Sequence, residues 1–251
     1  MQRALALMVV MVMALAVASG AHAASLSSLF SGGSITAGDK LFDNWQLVTY
    51  AAADPNRVFN ADNIDVQAQN NGGLNPGPGL YFTASYNELI LYTGINNDFL
   101  DLVFSFRVSS LDPYLKIKDA SQGVFVGGLN WQPVQSYDLG MNITETFGTA
   151  PGRDDVSSLA LEVREYRDPI SGSWEIANLY NAVEFSPQSE LWVTENIMLW
   201  TANASDVVDL SEFGMRFSQT QNPTVPEPST WLLVGTGLAF LFRCGRRRKE
   251  K

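Results

Sequence analysis

Imidazoles and thiols do most of the acid-base, nucleophilic and zinc chemistry in proteins, and this 251-residue sequence holds one of each: His22 and Cys244. Both lie in terminal segments that read as processing signals, so the residues between them contain neither. A body without them excludes a Ser-His-Asp or Cys-His mechanism, a His or Cys zinc site, and a disulfide. Carboxylate chemistry, oxygen-ligated calcium and lysine chemistry remain, as does a role without chemistry.

Carboxylates are the plentiful reactive groups. Asp62 with Asp65, Asp98 with Asp101, and Asp154 with Asp155 sit in Asn- or Gly-rich stretches where loop oxygens could hold calcium. None follows the spacing of an EF-hand, and no metal or other cofactor is assigned. A glycoside hydrolase needs two facing carboxyl groups roughly 5 Å or 6.5–9.5 Å apart, according to its stereochemistry. Glu162, Glu165, Glu184 and Glu195 lie in strand-like runs, but nothing in the sequence pairs them. They read as acidic residues on the solvent side of strands.

Aromatic rings offer a route to carbohydrate, because a pyranose ring stacks on an exposed indole. Trp192 and Trp200 share one parity along a single run, and Leu191, Val193, Ile197 and Leu199 share the other. One parity is core and the other is available for stacking. Trp45, Trp131 and Trp174 complete the body's tryptophans, which are expected mostly in the core.

The elements that must position these residues are strands. Leu102, Phe104, Phe106 and Val108 alternate with more polar neighbours, and similar runs recur at 115–118, 137–143, 159–164, 179–185, 191–200 and 213–217. Gly, Pro, Asn and Asp punctuate them at Gly72–Gly79, Asn96–Asp98, Pro151–Asp154 and Pro169–Gly172. Many short strands with regular turn signals predict an all-β fold, an antiparallel sandwich of jelly-roll or immunoglobulin-like kind. The stretch from Asn60 to Gly79 is expected to be disordered or inserted, and a short helix near Ser205–Ser211 is possible without being required.

Charge separates body from ends. Arg3 gives residues 1–23 a charge of +1, and six Arg or Lys against Glu250 give residues 229–251 a charge of +5, so the net -10 leaves -16 on the residues between. A body that acidic repels nucleic acid, and no nucleic-acid partner is expected.

The N-terminus combines Arg3, an apolar run from Ala4 to Ala18, and the small-residue site Ala21-His22-Ala23. That is a secretory signal peptide over residues 1–23, helical in the translocon and cut after Ala23, with the Sec translocon and signal peptidase as partners. The C-terminus places Val225-Pro226-Glu227-Pro228-Ser229 before an apolar run at 230–242 and a basic end at 243–251. Arg243, Arg246, Arg247, Arg248 and Lys249 hold that end in the cytoplasm by the positive-inside rule. As a helix the run rises ~1.5 Å per residue and covers about two thirds of a ~30 Å hydrocarbon core, so it suits a temporary membrane helix. The two prolines keep the motif extended and out of that helix, within reach of a processing enzyme.

This tripartite tail resembles the PEP-CTERM sorting signal of Gram-negative bacteria that make exopolysaccharide. The resemblance rests on Pro226-Glu227-Pro228, the apolar helix and the basic terminus in that order. It implies an exosortase as the partner that cuts near the motif, with the catalytic residues in that enzyme. Segments of the body, among them Gly38–Phe42 and Val193–Ile197, also resemble uncharacterised PEP-CTERM proteins. The expected organisation is a signal peptide at 1–23, an extracellular sandwich at 24–224 and a sorting tail at 225–251. The expected route is a transient inner-membrane anchor with a periplasmic body, then the outer surface or extracellular matrix. The expected function is a structural or adhesive role without catalysis; a lectin-like module contacting exopolysaccharide and a carboxylate-dependent glycoside hydrolase are the alternatives.

Overall fold

A computed structural model describes residues 23–92, 94–130, 137–168 and 172–221. The expected signal peptide, apart from Ala23, and the sorting tail, with their expected helices, lie outside those residues. Among the described residues no helix is long and apolar enough to cross a membrane.

The alternation read from the sequence becomes two antiparallel sheets packed face to face. Sheet I runs β1 (Ala24–Ser25), β4 (Ile64–Gln69), β5 (Gly79–Ala84), β14 (Val207–Gln221), β8 (Leu115–Asn130), β12 (Tyr180–Gln188), with β6 (Ile90–Leu91) also beside β14. Sheet II runs β11 (Gly172–Asn178), β10 (Ser157–Asp168), β9 (Tyr137–Gly148), β13 (Glu190–Thr201), β7 (Asp98–Ser110), β3 (Lys40–Ala52), β2 (Ile35–Ala37). Among the described residues the one α-helix, α1 (Leu26–Phe30), is capped by the Ser25 side chain, which accepts from the Ser28 N–H, and it buries Leu26 and Leu29. This is the expected all-β sandwich.

Two local expectations change. Within 60–79 the chain forms a 3-10 turn at Ala61–Asn63 and then β4, because Ile64 and Val66 alternate inward and are buried. No helix forms at 205–211: a turn closes from the Asp206 N–H to the Asn203 carbonyl, and Val208 and Leu210 then enter β14 as buried strand residues.

The inner faces meet in an aromatic core. Trp45 stacks on Phe106 at 4.4 Å and Phe104 at 6.3 Å, Phe82 stacks on Phe213 at 4.6 Å, and Phe42 meets Phe217 at 5.8 Å. Each such ring buries a large apolar area and fixes its neighbours' geometry. Trp45 donates its indole N–H to the Phe42 carbonyl, so the most buried described tryptophan is a core residue with a satisfied polar end.

Candidate functional site

Alternation along β13 places Leu191, Val193, Ile197 and Leu199 in the core, and the same parity carries Glu195 in with them. Its direct partner across the β9–β13 ladder is Glu145, which follows Leu139, Met141 and Ile143 on the inward side of β9. Both glutamates are 0 % exposed. Gln122 enters from sheet I and donates through Nε2 to Glu195 Oε1. Both oxygens of Glu145, the second oxygen of Glu195 and the Gln122 carbonyl oxygen have no protein hydrogen-bond partner.

Two carboxylates without a counter-charge cannot both stay ionised there, because the low-dielectric interior penalises each charge and each charge penalises the other. Burial pushes the Glu145 carboxyl up to about 8. Burial and then the neighbouring Glu145 charge raise Glu195 well above the ordinary carboxylate range, against the opposing hydrogen bond from Gln122. The arrangement retains protons at neutral pH and presents nothing to a substrate. Glu195 therefore leaves the set of solvent-side carboxylates, and its partner Glu145 was missed. Extending the alternation at 137–143 by one more inward position would have found it.

The other nominated glutamates are scattered. Glu162 and Glu165 lie on β10, opposite Asn142 and Leu139 of β9, whereas Glu184 is exposed on β12 in the other sheet. Of the calcium candidates, two accept hydrogen bonds from nearby residues and two lie within one strand. Asp62 accepts from Ser25 Oγ at 3.3 Å, Asp155 accepts from the Thr149 N–H and hydroxyl at 2.8 Å each, and Asp98 and Asp101 occupy β7 rather than a loop. Among the described residues no three His, Cys, Asp or Glu side chains are grouped to hold a metal ion.

Trp192 and Trp200 occupy the outward parity of β13, half-buried on the outer face of sheet II. Trp200 is tied down. Its indole N–H donates to Asp138 Oδ1 at 3.1 Å, and the Arg164 guanidinium, 5.7 Å from the ring centroid, forms a two-point pair with the same carboxylate. Burial works against the Asp138 charge, but hydrogen bonds from Arg164 and Trp200 outweigh it and hold the carboxyl below its ordinary value. At the other end of the strand Trp192 faces Arg107 in register, and Arg107 makes a two-point pair with Asp43 at 2.9 and 2.8 Å.

A second aromatic surface, absent from the sequence reading, lies on the outer face of sheet I. One rung crosses four strands as Tyr180, Gly123, Gly214, Tyr81. Register shifts where β8 meets β14 between Phe213 and Glu212, and Phe125 falls over Gly214, 5.4 Å from the Tyr81 ring. The paired glycines are buried beneath these rings, Phe125 lying against both and Tyr180 against Gly123, and glycine inside a strand commonly marks such a close approach. Phe125 and Tyr180 stay more than half exposed, and the Tyr81 hydroxyl donates to Glu212. The signal was a glycine in the middle of each of two strand runs, which discloses nothing until the register aligns them.

Comparison with known proteins is informative at one end of the chain. No curated protein matches it. A solved structure of the carbohydrate-binding module TmCBM61 with β-1,4-galactotriose shares 12% identity, covering 71% of this chain and 89% of that one, with a TM-score of 0.21. A thermostable cellulase derived from Cel12A of Rhodothermus marinus shares 7% identity over 71% of this chain and 99% of that one, with a TM-score of 0.17. Overlaps this loose say nothing about ligand or activity. Residues 224–248, by contrast, match the model of the PEP-CTERM protein-sorting motif. The chain thus carries the sorting motif of an exosortase-processed exported protein, one anchored at the membrane by its C-terminus.

Proposed function

We propose that the mature body is a structural or adhesive component of the outer surface or exopolysaccharide matrix, released from its membrane anchor by an exosortase and carrying no catalysis. The observation that carries this reading is the position of the sorting motif: it begins at residue 224, directly behind β14, which ends at Gln221 inside sheet I. A sandwich attached this way is presented as a unit on the far side of the membrane from the basic tail. The burial of Glu145 and Glu195 supports a non-catalytic reading, since this cross-strand glutamate pair is sealed from any polymer. Signal peptidase and the translocon act before the exosortase on this route.

The test is fractionation of cells with and without the exosortase, followed by mass spectrometry of the body. Material lacking the tail is expected in the surface or matrix fraction when the enzyme is present, and tail-bearing material in the inner membrane when it is absent. Protein that still ends at Lys251 in cells with the enzyme overturns the processing step. Polysaccharide cleavage by the purified body overturns the non-catalytic role.

Lectin-like contact with exopolysaccharide is the second reading. It is favoured by the exposed rings of Phe125 and Tyr180 over Gly123 and Gly214 and by the outward parity of Trp192 and Trp200. Loss of polysaccharide pull-down on removing one of these rings would select it.

A further inference from the structure

Lys40 is the first residue of β3 and its side chain is fully buried. The alternation that sends Phe42 inward sends Lys40 inward as well, so the ammonium lies in the sandwich interior rather than in water. Its Nζ contacts Oε1 of Gln219, a buried residue of β14 in the opposite sheet. Its second partner is Asp39 Oδ1 at 3.2 Å, whose companion oxygen Oδ2 is buried without a partner. Two residues further into each strand Phe42 and Phe217 meet at 5.8 Å, which holds β3 and β14 together across the sandwich at this end.

We propose that Lys40 and Gln219 form an intramolecular isopeptide bond, a covalent clamp between the two sheets, with Asp39 as the proton carrier. The three components of an amide exchange are present in contact: a buried amine, a buried carboxamide and a carboxylate that is 22% exposed at the edge of the interior. Desolvation lowers the Lys40 pKa against the opposing Asp39 and Asp119 charges, which brings the amine closer to its nucleophilic neutral form. Asp119 is itself paired with Lys118 at 2.7 Å, leaving Asp39 as the carboxylate in contact with Nζ.

The step balances without an outside reagent. Asp39 takes a proton from the Lys40 ammonium, and the freed pair on Nζ attacks Cδ of Gln219 while the carbonyl pair moves onto Oε1. The adduct collapses with cleavage of the Cδ–Nε2 bond, Asp39 passes its proton to Nε2, and ammonia departs with the remaining proton from Nζ as ammonium. A neutral secondary amide replaces a buried charge, and Asp39 returns to carboxylate. The body has no cysteine with which to make a disulfide. This bond would tie residues 179 positions apart, a long loop of the kind for which a cross-link removes most entropy from the unfolded chain. It would also join β14, the strand leading into the sorting motif, to the opposite sheet. None of this depends on the adhesive role.

Peptide mapping of the folded protein from its own cells decides the matter. Trypsin is expected to skip Lys40 and to yield a branched peptide joining the Lys40 segment to the one that starts at Phe217, lighter than the two linear peptides after allowance for the uncut bond by one ammonia. Lys40→Met should return the Gln219 segment as a linear peptide with its amide intact, and Asp39→Asn should leave most of the protein unlinked. Cleavage after Lys40 together with an intact Gln219 amide in folded wild-type protein overturns the bond. Full linkage in Asp39→Asn overturns the assignment of Asp39. Because the wild-type map alone decides the bond, a variant that fails to fold does not obscure the result.

Discussion

Glu145 and Glu195 face each other directly across the β9–β13 ladder on the inner side of sheet II, with neither side chain reached by solvent. Their carboxyl groups titrate as a pair, and the pair is a stability element whose sign follows from the direction of its shifts.

Both groups are raised in the folded state, Glu145 to about 8, above an unfolded value near the ordinary ~4.3. The folded protein therefore holds protons that the unfolded chain releases, so this contribution is fully present below the unfolded value and is lost as pH rises through the folded one. Thermal melts are expected to fall between pH 5 and 8. Glu145→Gln, which keeps the shape and removes one charge, should match the wild type near pH 5 and exceed it by a few kcal/mol near pH 8. A gap between the two proteins that does not widen with pH would show that the pair is not protonated in the fold.

The seat of Trp200 gives a packing prediction. A Cβ added at Gly140 would lie 2.6 Å from Trp200 Cζ2 and 2.6 Å from the Val163 carbonyl oxygen. The ring is held by Asp138 and Arg164, and the backbone oxygen of the neighbouring strand is held by the ladder. Gly140→Ala is expected to cost about 1–3 kcal/mol, as overpacking does. Urea denaturation measures the cost, and a change in tryptophan emission would report the displaced indole.

On sheet I the rings around Gly123 and Gly214 are predicted to matter for contact and little for folding. Tyr180→Ser removes a ring that is 65% exposed, so it should change stability by under about 1 kcal/mol. Retention on immobilised exopolysaccharide should fall with Tyr180→Ser, or with Trp192→Ala if the outer face of sheet II makes the contact. Unchanged retention with both would remove the lectin reading.

At the C-terminus, replacing Pro226-Glu227-Pro228 with three alanines should leave the sandwich intact and block release. Alanines let the membrane helix extend into the motif, because they lack the φ restriction that the prolines impose. Membrane fractions from cells with an active exosortase should then hold the variant, as they hold the wild type in cells without the enzyme. Normal release would show that the motif is not what the enzyme reads.

What the sequence determined by itself is local or linear. The sorting tail is read in order along the chain, so the tail at 225–251, matched over 224–248, is legible from Pro226, Glu227, Pro228, the apolar run and the basic end alone. Strands were legible because side-chain parity has a period of two, and Leu102, Phe104, Phe106 and Val108 proved to be core residues as their alternation required. Where a run is short or polar the period is weak, so the alternation of Ile64 and Val66 in β4 does not stand out from the loop-like composition around it. Tertiary structure alone decided which residues meet. Glu145 with Glu195, Lys40 with Gln219, and the Tyr180–Gly123–Gly214–Tyr81 rung each depend on strand order and register between segments far apart in sequence. Parity says which side of a sheet a residue occupies, but long-range pairing chooses its neighbour.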